Sequence, residues 1–144
     1  MDSVAQRVLS AMLEKDHYSK WLGIIVDEHR EGYCRLHFVV REEMLNGFGI
    51  AHGGIVFSAA DSAFAFTCNS HGRLSVALDV TISFVRTTTA GETLTVEAKE
   101  LHNGNKTGFY DITVVNEQQE LVALFKGTAY RTGKMIYEDA PGKG

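Results

Sequence analysis

A chain of 144 residues, 44% hydrophobic and 22% charged, is long enough for one globular domain with its own core and needs no second. Its formal net charge of −4 argues against a nucleic-acid binder, which carries a basic face to neutralise phosphates. Cys34 and Cys68 sit in separate apolar segments without metal-ligand spacing, and the N-terminal stretch MDSVAQRVLSAMLEKDH holds acids and no apolar run, so free thiols and a cytoplasmic location are expected.

Within the N-terminal segment 1–17, Val4, Val8, Leu9, Met12 and Leu13 recur at helical spacing behind Ser3, a suitable N-cap. This predicts a helix over 3–15 that lids one end of the fold. Alternating apolar residues from Leu22 and again to Val40, around Glu31-Gly32, predict a hairpin of strands 22–29 and 33–40. Next comes MLNGFGIAHGGIVFSAADSAFAFTCNSHG, from Met44 to Gly72. Its part from Gly54 to Ser70 is built of small and apolar residues around one charge, Asp61, which predicts a core helix entered through a glycine-rich loop and capped by Gly72. At roughly 25 Å it is marginal for a bilayer span, and a mid-membrane carboxylate is costly, so no membrane partner is expected.

Val76, Leu78, Val80, Ile82 and Phe84 alternate strictly, and Leu94, Val96 and Ala98 do so after the turn at Ala90-Gly91. Segments 106–115 and 121–131 follow turn-forming stretches, and the tail 133–144 has little to bury and is expected to be flexible. The order is helix, two strands, one long apolar helix, four strands. A helix apolar on all sides needs cover, which a curved antiparallel sheet supplies by wrapping. The predicted architecture is therefore a single α+β domain, residues 1–144, of the hot-dog type. An ordinary two-layer sandwich is the alternative, and either arrangement favours oligomers.

Asp61 carries the sharpest chemical signal, because Asp is a poor mid-helix residue and a buried charge is expensive unless used or satisfied. The bland reading is an acid paired to an Arg or Lys elsewhere. His52-Gly53-Gly54 at the helix entrance gives the second signal. Paired glycines there let a ligand approach the N–H groups at the positive end of the helix dipole, where a developing oxyanion would be stabilised; alternatively they make only a tight turn. The segment lacks the Lys-Ser/Thr of a phosphate loop and the third glycine of a dinucleotide fingerprint, and no zinc motif or serine elbow is present. Gly53 and Asp61 lie about 12 Å apart along one helix. Groups acting on one carbonyl each need to be within about 3–4 Å of it. A two-fold dimer with antiparallel helices solves this by setting Gly53 of one subunit near Asp61 of the other.

The pattern of Asn46, His52, Gly53-Gly54 and Asp61 resembles the hot-dog acyl-CoA thioesterases, specifically the phenylacetic acid degradation branch. The likeness covers most of the chain and is densest in MLNG, HGG, FSAADSAFAF and CNSHG, with a second block in TGFYDITVVNEQQELVALFKG. It implies an acyl-CoA substrate, phenylacetyl-CoA or hydroxyphenylacetyl-CoA, no metal or organic cofactor, and a homodimer or homotetramer. It implies Asp61 as nucleophile or general base, Gly53 N–H as the donor to the carbonyl, Asn46 orienting the acid or the water, and His52 bracing the loop. Two departures stand out: Ala77 aligns where a related branch places Ser or Thr, with Ser75 nearby, and Thr87 follows Arg86 where proline is frequent. Arg86, Asn105, Lys106 and Arg131, at predicted strand ends, are candidates for holding coenzyme A. Gly54, Phe48, Phe57 and Phe64 are candidates for the acyl side. A non-catalytic acyl-CoA-binding module on the same scaffold is the competing reading, and a hot-dog dehydratase a more distant one.

Overall fold

The structure of the protein, a computed structural model, describes residues 2–137. Helix α1 (Val4–Lys15) starts at Ser3, whose hydroxyl accepts from Gln6 N–H while the Gln6 side chain accepts from Ser3 N–H. That reciprocal pair satisfies two N–H groups the first turn would otherwise leave unbonded. The expected strand beginning at Leu22 is displaced by a second, short helix, α2 (His17–Leu22), which ends at left-handed Gly23. Its N-cap, Asp16, accepts from both the N–H and the hydroxyl of Ser19. Six residues show too little periodicity to announce themselves beside an alternating run.

Strands β1 (Ile25–Arg30) and β2 (Tyr33–Val39) form the expected hairpin, with Gly32 in the positive-φ conformation the turn demands. Strands β3 (Arg73–Phe84), β4 (Thr93–Asn103), β5 (Thr107–Val115) and β6 (Leu121–Met135) complete a six-stranded sheet in the order β1-β2-β4-β5-β6-β3. All its pairs are antiparallel, and register shifts in β1, β3, β4 and at the end of β5 mark bulges that deepen the twist. Strand β6 runs on through Gly133 to Met135, so the first residues of the expected flexible tail are sheet; 138–144 lie outside the described residues.

Helix α3 (Gly53–Cys68) packs against every strand, which is the wrapped, hot-dog arrangement. The sheet buries one side of it, including Val56, Ala60, Ala63, Phe64 and Phe66. Phe64 lies so close to β6 that a side chain at Gly127 would meet its ring at 2.8 Å, so only bare backbone fits beneath it. The opposite side, Gly54, Ser58, Asp61, Ser62 and Ala65, is not closed over by the sheet. Gly72 does not cap the helix. Asn69 does, donating to Ala65 O and exchanging hydrogen bonds with the backbone of Ser75, while Gly72 turns the chain into β3 at φ 98°. Among the described residues no helix is long and apolar enough to cross a membrane.

Candidate active site

Residues 45–51 form a tight loop ahead of α3, closed by a bridge between Leu45 and Ala51 and by Asn46 N–H donating to Ile50 O (2.8 Å). Asn46 Oδ1 accepts from Phe48 N–H (2.9 Å) and, more weakly, from Ile50 N–H (3.4 Å). The oxygen is thereby occupied as a brace, and the amide NH2 remains as the donor end. The next residue of the motif, His52, is the N-cap of α3: its Nδ1 accepts from Gly54 N–H at 2.8 Å, and His52 O accepts from Ile55 N–H. An accepting Nδ1 places the ring's proton on Nε2. A side chain at Gly54 would sit 3.0 Å from Nδ1, so that glycine makes room for the cap and its amide is spent on it.

Those bonds leave Gly53 as the first-turn amide with no acceptor among the described residues. It faces a cleft of about 180 Å³ that also takes in Asn46, Phe84, Arg86 and Thr88. Asn46 and Gly53, with its free N–H at the positive pole of α3, thus line one recess, a setting in which a developing negative charge on oxygen is stabilised. Beside it, a wider cleft of about 360 Å³ has Met44, Leu45 and Ile55 as walls and Tyr18, His52 and Ser58 at its rim. Tyr18, Ser58, Phe84 and Glu43, which also lines this cleft, are site residues the sequence did not single out. Ser58 carried a usable signal, since it shares a helix face with Gly54 and Asp61.

Asp61 is half-buried on the open stripe of α3, and its carboxylate has no hydrogen bond or ion pair among the described residues. Burial alone pushes its pKa up, because the charged form loses solvation without gaining a partner. The permanent basic partner of the bland reading is therefore not present among the described residues. Within one protomer Asp61 lines neither cleft, as the distance along the helix implies.

The proposed substrate contacts divide. Arg86 borders the Gly53 cleft, in an exposed ion pair with Glu120 at 3.0 Å. Asn105, Lys106 and Arg131 belong to the other end of the sheet: Ser75 pairs with Arg131 and Phe84 with Ala123, a separation of about 30 Å along β3. The expectation that Arg131 meets phosphate in solvent is overturned. It is 4% exposed and donates to Cys68 O, Ser75 Oγ, Asn103 Oδ1 and Tyr110 Oη, with Glu100 3.6 Å away. Ser75 is tied into the same network and cannot stand in for the hydroxyl missing at Ala77. Phe64 is core, against Tyr110 and Phe125; Phe57 packs on Phe125; Phe48, at the loop tip, is 90% exposed and borders neither cleft.

The description of the thioesterase superfamily matches residues 48–123 of this chain. Over 130 residues the chain is 47% identical to the acyl-coenzyme A thioesterase PaaI of Escherichia coli, covering 90% of this chain and 93% of the relative. The solved structure of the E. coli PaaI protein from the phenylacetic acid degradation operon superposes with a TM-score of 0.90 at 45% identity, covering 92% of this chain and 96% of that one. A Streptococcus mutans protein solved with acetyl CoA bound superposes at 0.75 with 28% identity, covering 78% and 90%.

Proposed function

The chain belongs to the thioesterase superfamily, and from that premise we propose that it hydrolyses aryl-acetyl thioesters of coenzyme A, phenylacetyl-CoA or a ring-hydroxylated relative, at sites shared between two subunits. The thioester carbonyl takes the Gly53 N–H, which draws charge onto oxygen as the carbon becomes tetrahedral. Asp61 of the second subunit either removes a proton from the attacking water or attacks the carbon itself, giving an anhydride that water then opens. In both routes the C–S bond breaks, the sulfur leaves as coenzyme A thiol, and the water's oxygen ends in a carboxylic acid. Asn46 orients the acid or the water through its amide NH2, and His52 holds the loop and the cap without transferring a proton.

One observation carries this reading: an ionisable, half-buried carboxylate with no partner among the described residues, on the side of α3 that its own sheet leaves uncovered. The edge strand β3 supports the two-fold arrangement. Its outer edge is unpaired, and Val76, Leu78 and Phe84 are 48%, 61% and 56% exposed. Such an edge invites pairing with another strand, and a second copy meeting it antiparallel also sets the two α3 helices antiparallel.

Release of free thiol from a panel of aryl-acetyl and aliphatic acyl-CoA thioesters tests the substrate. The aryl-acetyl thioesters are expected to lead by kcat/KM, and Asp61→Asn to lose at least ~100-fold on each while still binding coenzyme A. Parent-like turnover by Asp61→Asn would reject the mechanism. Binding of coenzyme A without turnover by the parent protein would favour the non-catalytic module.

A further inference from the structure

We propose that Thr89 is a positioning residue that sets the direction of the Asn46 side chain from outside the site. This rests on the thioesterase reading above, in which the Asn46 amide NH2 orients the acid or the water. That NH2 is only as steady as the grip on its own oxygen. Asn46 Oδ1 accepts from Phe48 N–H (2.9 Å) and Ile50 N–H (3.4 Å), while Asn46 O accepts from Gly49 N–H (3.1 Å). Gly49 stands between the two gripping amides at φ 76°, in a region that glycine enters and leaves without steric cost. The grip therefore needs a fixed point beyond the loop.

The Thr89 hydroxyl supplies it, donating to Gly49 O at 3.0 Å. That carbonyl belongs to the same planar peptide as the Ile50 N–H, so holding one end of the plane aims the other at Asn46 Oδ1. Thr89 is fixed in turn from behind. Its N–H donates to Glu92 Oε2 at 2.6 Å, a short bond to a charged acceptor. Glu92 is anchored beside the end of β2, where Val40 N–H donates to Glu92 O (2.9 Å) and Gly91 N–H to Val40 O (2.8 Å). Next to Thr89, Thr88 O accepts from Ala51 N–H (2.8 Å) and ties down the far end of the same loop. The chain's one proline is Pro141, so no proline ring stiffens the segment that follows β3, and these bonds hold it instead. The sheet thus reaches Asn46 through Glu92, Thr89 and the Gly49–Ile50 peptide, although Thr89 itself lines neither cleft.

The test is a double-mutant cycle of the parent, Thr89→Val, Asn46→Ala and the pair. It follows kcat on whichever thioester of the panel the parent hydrolyses fastest, with coenzyme A affinity recorded beside it. Thr89→Val keeps the branched shape and removes the donor. It is expected to lower kcat about fivefold, the fold-change of one hydrogen bond, with coenzyme A affinity within about twofold of the parent. Thr89→Ser restores the donor and is expected to recover the rate. In the Asn46→Ala background Thr89→Val is expected to cost nothing further, because the side chain it positions is gone; a general weakening of the fold would cost the same in both backgrounds. A Thr89→Val rate within about twofold of the parent, a loss that Thr89→Ser does not recover, or an equal loss in the two backgrounds overturns the proposal and leaves the thioesterase reading in place. An Asn46→Ala protein as fast as the parent, or a parent that releases no thiol, removes the reading on which it rests.

Discussion

Gly53 offers a substitution that separates its N–H from the space around it. As the first residue of α3 it occupies the helix position where proline is best tolerated, and the extended ψ of 135° at His52 suits a residue before proline. Any side chain at 53 meets Phe84, whose ring would lie 3.3 Å from the new Cβ. Gly53→Ala and Gly53→Pro share that crowding, but only proline deletes the donor, its ring Cδ standing where the amide hydrogen pointed. We expect Gly53→Pro to turn over at least ~100-fold more slowly than Gly53→Ala, as for loss of one oxyanion donor; equal rates in two folded variants would remove the amide from the mechanism. Asp61 makes the second residue-scale case. Its pKa in the folded protein is raised by burial above the ordinary value of 3.8, so the folded state holds the proton more tightly than the unfolded chain. Stability is therefore lost as pH rises from the unfolded value through the folded one, and the cost persists at neutral pH. Asp61→Asn removes the ionisation and is expected to melt no lower than the parent at pH 7, its advantage shrinking below about pH 4. A variant melting clearly lower at pH 7 would mean that the carboxylate has a stabilising partner. As candidates, Asp61 and the His52-Gly53-Gly54 turn were legible as letters, because a mid-helix acid and paired glycines at a helix start are out of place for ordinary packing, whereas Asn46 stood out only through the family resemblance. The direction in which His52 caps the helix was not, since it depends on which ring nitrogen meets which amide.

At the scale of elements, parity along a strand was the signal that a reading of strand ends overlooked. Arg131 lies two, four and six residues beyond Ala129, Gly127 and Phe125, and the β6 register points all four inward. It sits among Asn103, Tyr110 and Ser75 where β4, β5 and β3 come together, with Glu100 beside it. Burial pushes the Glu100 pKa up, but hydrogen bonds from His71 and Tyr110 and the charges of His71 and Arg131 more than offset this and hold it below its usual range. A depressed carboxylate contributes stability above its unfolded pKa, and the contribution is lost as pH falls through the folded value. Arg131→Leu takes one positive partner from that carboxylate and the donor from Cys68 O and Asn103 Oδ1, so denaturant unfolding at pH 7 is expected to register a loss of about 3–5 kcal/mol, diminishing in acid. A stable Arg131→Leu protein with weakened coenzyme A binding would instead restore this residue to the substrate. The central helix, the first helix and the hairpin of β1 and β2 were readable because long periodic runs and the turn glycine Gly32 announce them. Helix α2 was not, being six residues held by tertiary bonds such as Ser19 to Ser62.

For the whole molecule, composition pointed to a helix that must be covered all round, and the structure divides that cover between sheet, α2 and a stripe that the described residues do not close. That stripe holds Asp61, about 12 Å along the helix from the free amide of Gly53. The edge strand β3 lies bare as well. Neither fact is visible in residue order, because which side of an apolar helix stays open depends on where the sheet ends. The proposed two-fold contact would cover both, which makes subunit complementation the most direct test of a shared site. Asp61→Asn and Gly53→Pro are each expected to disable both sites of their own homodimer. In a mixed dimer one site carries both lesions and the other carries neither. Co-expressed in equal amounts, the two inactive variants are predicted to regain about a quarter of the parent's thiol release, the statistical share of intact sites; mixtures no more active than either variant alone would place Gly53 and Asp61 in separate reactions and contradict the account.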